Sequence, residues 1–143
     1  MPTRNQRLSP IFAVAMLAAL IGLGDALYLT VQHLTGQSVR CAVVTGCSAV
    51  LSSRYAAIGG IPTAAFGLGA YFTAFSLATL ALFGSARAVR LLRLTVGAMV
   101  AASLWLLYLQ AFVLHSFCTW CLLSAAMTGL LLTVVLIERR RSR

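Results

Sequence analysis

The 143 residues are 61% hydrophobic and only 9% charged, with a mean hydropathy of +0.96, more apolar surface than a soluble domain of this size buries. The net charge of +9 comes from eleven arginines and no lysine, against Asp25 and Glu138 alone. These arginines flank apolar runs instead of clustering with polar and aromatic residues, which makes them a topology signal and excludes nucleic-acid binding.

Residues 1–9 are polar and carry Arg4 and Arg7. An apolar run over 11–33 follows, long enough for a first membrane span and too long for the core of a cleavable signal peptide, the competing reading. A polar exit leads to Cys41–Cys47 (CAVVTGC), and then to SAVLSSRYAA over 48–57. That stretch is too short and polar to span, and its apolar spacing predicts a short half-helix lying on the membrane surface. Gly59-Gly60-Ile61-Pro62 ends it, and Pro62, suited to the first turn of a helix, is expected to open a second span over 62–83.

Gly84–Arg93 (GSARAVRLLR) reads as a tight basic turn. Between Leu94 and Ile137 the only acidic or basic side chain is His115, and one helix of that length would reach about 66 Å, twice the bilayer core. The chain must therefore fold back, with His115-Ser116-Phe117 as the interruption and spans three and four over 94–114 and 118–137. The expected fold is an all-α membrane domain, a four-helix bundle over 1–143 with the loop and half-helix at 35–60. Nine arginines fall on the side of the termini and two on the other, so both termini are expected in the cytoplasm of a cell inner membrane protein, with Cys41, Cys47, Cys118 and Cys121 facing the periplasm or exterior.

Cys118 and Cys121 form a Cys-x-x-Cys pair at the mouth of the fourth span. Three residues apart, they share a helix face, and in the first turn the helix dipole favours thiolate. Redox chemistry is the reading this supports. A buried pair of small apolar side chains and half of a metal site with Cys41 and Cys47 are the alternatives. Asp25, the one acid inside a span, is expected to face the bundle, with no role assigned. His33 and His115 lie at outer boundaries. Tyr71, Tyr108, Trp105 and Trp120 read mostly as membrane-belt or packing residues.

The loop pair, the block CSAVLSSRYAAIGGIPTAAFG (47–67) and the late FCTWC (117–121) resemble the vitamin K epoxide reductase family, in particular bacterial members that couple disulfide formation to quinone reduction. The resemblance implies a bundle around a quinone (ubiquinone or menaquinone), capped by the half-helix. It implies that Cys41 meets a thioredoxin-like or DsbA-like dithiol protein acting in trans, no such domain being fused here. Cys47 would pass electrons to Cys118, and Cys121 would reduce the quinone. The implied disulfides are Cys41–Cys47 and Cys118–Cys121, with a transient Cys47–Cys118. Cys121, Ser53, Thr63 and Phe66 are the expected quinone contacts, and no metal is expected. Thr63 departs from members with Asn at that position. The expected activity is a quinone-dependent thiol–disulfide oxidoreductase supporting disulfide formation. The alternatives are a quinone or vitamin K epoxide reductase using small thiols, and a non-enzymatic module with structural disulfides or a metal. DsbB-type quinone reductases carry their Cys-x-x-Cys in the earlier pair, which argues against them.

Overall fold

A computed structural model describes residues 4–36 and 53–143. Cys41, Cys47 and most of the expected half-helix lie outside the described residues. Among the described residues, four helices are long and apolar enough to cross a membrane: α1 (Arg4–Thr35), α2 (Thr63–Leu82), α3 (Ala86–Tyr108, extended by a π turn at Leu109–Val113) and α4 (Thr119–Arg141). Each runs antiparallel to its neighbour in sequence. α1 packs on α2 and α4, and α3 on the same two helices, so the bundle is a four-cornered ring. The chain termini and the α2–α3 turn share one end, the arginine end. Cys118, Thr63 and the close of α1 share the other, the cysteine end.

Lipid gives no hydrophobic reward for helix association, so close approach of small residues must supply it. Ala15, Ala18, Ala19 and Ala26 of α1 and Ala74, Ala78 and Ala81 of α2 belong to one buried cluster. Gly22 lets Tyr71 in: a Cβ there would collide with the Tyr71 ring. Tyr71 is buried, not a belt residue. Its Oη lies 2.7 Å from the Ser124 carbonyl oxygen, 2.8 Å from Ser124 Oγ and 3.0 Å from Thr128 Oγ1, tying α2 to α4. Large apolar side chains such as Leu17, Phe72, Leu94 and Trp105 point outward, as a lipid-facing surface requires.

Three boundaries differ from the sequence reading. The basic stretch 84–93 is mostly helix: the turn is confined to Gly84 (φ +91°) and Ser85, whose hydroxyl caps α3 by accepting from the Ala88 amide. Arg87 and Arg90 then sit on the exposed side of α3. Arg93 reaches across to α4, where Nη2 and Nε lie 2.6 and 3.1 Å from Glu138 Oε2. Residues 53–62, expected to end a half-helix, hold a single 3₁₀ turn (Arg54–Ala56) and a minimal hairpin. In it β1 (Ala57–Ile58) pairs antiparallel with β2 (Ile61–Pro62). Gly59 and Gly60 both have positive φ (59° and 84°), the conformation a two-residue hairpin loop demands. Pro62 caps α2 from just outside it.

Candidate functional site

The cysteine end is built around a break in helix geometry. α3 does not stop at Tyr108 but widens into the π turn, where the Leu114 amide donates to the Leu109 carbonyl (2.7 Å) and the Ser116 amide to that of Gln110 (3.0 Å). His115 follows at φ +50°, a left-handed conformation that histidine tolerates better than most residues, and the chain reverses into α4. The wider turn carries Gln110 into the bundle, where it is 2% exposed. Its Oε1 accepts the backbone N–H of Cys118 at 3.0 Å.

Cys118 is the N-cap of α4 and is fully buried; Cys121 lies in the first turn and is half-buried. Both are free thiols and they hydrogen-bond to each other. That contact, with support from the Cys121 and Trp120 amides, pulls the Cys118 thiol down from 9.0 to about 7. Burial and the nearby Asp25 charge oppose it. Near neutral pH Cys118 is thus a substantial fraction thiolate, able both to attack a disulfide and to leave from one.

Cys121 opens onto a cavity of about 120 Å³ among the four helices. Leu29, Leu106, Leu109 and Ala125 give it apolar walls, and Asp25, Ser103, Gln110 and Ser124 interrupt them with polar groups. Ser53 and Tyr55 before the hairpin and Pro62 and Thr63 after it line its outer end. An apolar cavity of roughly 150 Å³ admits a benzene ring, so this one has the scale of a ring-shaped headgroup.

Of the expected ligand contacts, Cys121, Ser53 and Thr63 line this cavity. Phe66 is not among the lining residues; its ring is 52% exposed on α2, since that face of the helix turns outward. Thr63 is placed as expected but engaged otherwise. Its hydroxyl donates to the Tyr55 carbonyl at 3.0 Å, so its proton holds the 3₁₀ turn to the start of α2. Only its lone pairs remain for a ligand. Trp120 packs its ring 4.8 Å from that of Tyr28. His33 borders the cavity, whereas His115 is exposed and shapes the turn. Cys41 and Cys47 lie outside the described residues.

Sequence reasoning missed Gln110, left Tyr71 between belt and packing without its bonds to α4, and left Asp25 without a task. The signal for Gln110 was present: an amide side chain in a stretch of α3 without charge is costly in lipid unless it has a partner. Asp25 is 5% exposed on the cavity wall, and neither carboxylate oxygen has a hydrogen-bond partner among the described residues.

Among the described residues, four helices long and apolar enough to span a membrane surround a dithiol and a ring-sized cavity, the plan of a multi-pass membrane oxidoreductase. The family model described as "Vitamin K epoxide reductase family" matches residues 13–136, and the chain belongs to that family. The family uses quinone-type electron carriers in general and typically works with a thioredoxin-like partner.

Proposed function

We propose that this protein reoxidises a thioredoxin-like or DsbA-like extracytoplasmic dithiol protein and passes the electrons to ubiquinone or menaquinone in the membrane. The observation that carries the reading is the thiol of Cys121 facing a ring-sized apolar cavity while hydrogen-bonded to a buried, thiolate-prone Cys118. A quinone headgroup fits that cavity by size, apolar walls and a few convergent polar groups. Cys121, Asp25 and Gln110 would hold it from within, and Ser53 and Thr63 from the mouth. When bound, the quinone supplies a two-electron, two-proton sink.

In this scheme Cys41 accepts the partner's thiol and Cys47 is freed to attack Cys118 in the Cys118–Cys121 disulfide. Attack forms a Cys47–Cys118 mixed disulfide and releases the Cys121 thiolate beside the cavity. Gln110 keeps the amide of Cys118 fixed throughout, so the sulfur presented to Cys47 does not wander. The arginine asymmetry supports a topology with both termini in the cytoplasm and the cysteine end in the periplasm or exterior.

The test is an absorbance trace of quinone reduction by the purified chain supplied with a reduced thioredoxin-like donor. Reduction that stops with Cys121→Ala, and a Cys47–Cys118 peptide recovered from that variant under non-reducing conditions, is the expected result. Recovery of Cys41–Cys118 instead would exchange the roles of the two loop cysteines. No reduction with protein or small dithiols would sink the reading.

A further inference from the structure

A buried carboxyl group without a partner is an unusual thing to keep in a membrane bundle. Polar groups taken out of water cost several kcal/mol when unpaired, and native proteins leave few of them unexplained. Asp25 is 5% exposed, with both oxygens unpartnered among the described residues, and it shares the cavity wall with Cys121. A ring that fills the cavity would touch the carboxyl group and the thiol together.

The chemistry in that space has protons to place. Oxidation of the Cys118/Cys121 dithiol breaks two S–H bonds, forms one S–S bond and releases two electrons and two protons. Reduction of a quinone to a quinol takes up two electrons and two protons. Resting on the functional reading above, we propose that Asp25 is a catalytic residue that carries one of these protons between the thiols and a quinone carbonyl oxygen. As the acid it donates to that oxygen, and as the carboxylate it then takes up a proton released by the dithiol. It therefore ends the turnover in the state in which it began. The other titratable groups around it are Cys118 and Cys121 from α4, Tyr71 from α2, and His33 and Tyr55 at the cavity mouth. α3 contributes Ser103 and Gln110, neither of which titrates. Tyr71 is already committed to Ser124 and Thr128. Asp25 is thus the carboxyl group on this wall, among the described residues.

The experiment uses the full chain in lipid nanodiscs with a short-tailed benzoquinone. Single-turnover reduction by the dithiol-reduced protein is followed across pH for wild type, Asp25→Asn and Asp25→Glu. With quinone at saturating concentration for each variant, Asp25→Asn should slow the chemical step by roughly 10²- to 10⁴-fold. Asp25→Glu should recover most of the rate with a displaced pH profile. An infrared difference spectrum on quinone binding, with no reductant present, should show a perturbed carboxyl band in wild type that Asp25→Asn lacks. An unchanged rate and pH profile in Asp25→Asn, or no carboxyl band that responds to quinone, overturns the inference while leaving the functional reading intact. A wild type that never reduces quinone overturns the functional reading and the inference with it.

Discussion

The two ends of this bundle are built on opposite plans. The arginine end is filled: alanines interlock between α1 and α2, and Arg93 pairs with the buried Glu138 across α3 and α4. The cysteine end is hollow. There α3 loosens into a π turn, a cavity of about 120 Å³ separates the helices, and Asp25 has no partner among the described residues. A π turn in a helix is frequently found at a functional site, and here it is what carries Gln110 to the Cys118 amide. The difference shows a division of labour along the membrane normal, in which one half holds the helices together so that the other can remain unpacked.

That contrast can be broken from either end. The largest stability loss is expected from Arg93→Ala, which leaves the buried Glu138 carboxylate alone. Removing one member of a fully buried pair costs about 3–5 kcal/mol, and with Arg93 partly exposed we expect roughly 2–4 kcal/mol. Thermal unfolding in detergent should show it, while quinone reduction at low temperature remains. Glu138→Ala should cost less, because Arg93 can turn toward water.

Next comes Gly22→Ala, which sets a methyl group against the Tyr71 ring and should cost about 1–3 kcal/mol by overpacking. An unchanged melting temperature would mean that the α1–α2 approach is looser than the structure has it. At the hollow end, Gln110→Leu leaves a buried amide without its acceptor and should cost about 1–2 kcal/mol. Its sharper signature is chemical. With the Cys118 amide no longer held, the contact with Cys121 that lowers the Cys118 thiol should loosen, so the pH midpoint for alkylation of Cys118 in the reduced protein should rise in Gln110→Leu relative to wild type. Gln110→Glu, which keeps an acceptor, should hold the amide.

The smallest effect is expected from Tyr71→Phe, which keeps the ring and removes the hydroxyl. Hydrogen bonds between membrane helices are worth about 0.6 kcal/mol on average. A loss of roughly 1 kcal/mol with little change in turnover would mark Tyr71 as a strut.

Hydropathy made the four spans legible, because lipid imposes length and composition on any helix that crosses it. It misjudged where α3 begins. Arg87, Arg90 and Arg93 look like a turn in a list of charges, yet two of them extend outward from the first turns of a helix and the third finds Glu138. The capping serine at position 85 was the better marker. Gly59-Gly60 was seen as a helix breaker but not as a hairpin loop, since pairing of Ile58 with Ile61 is a long way from any alternating pattern. At the site, residue type announced Cys118, Cys121 and Asp25. Direction was hidden: Thr63 spends its proton on Tyr55, and Phe66 faces away, facts set by helix phase and loop path.

Trp120 has a practical consequence. It stands between the two cysteines in the chain, with its indole against Tyr28, whereas the other tryptophan, Trp105, is 59% exposed on α3. Thiols and disulfides quench excited indoles to different extents, and Trp120 is flanked in the chain by Cys118 and Cys121. Replacing Trp105 with Phe would leave a single emitter whose brightness follows the Cys118/Cys121 couple. Turnover could then be watched as light from within the protein, with no dye attached.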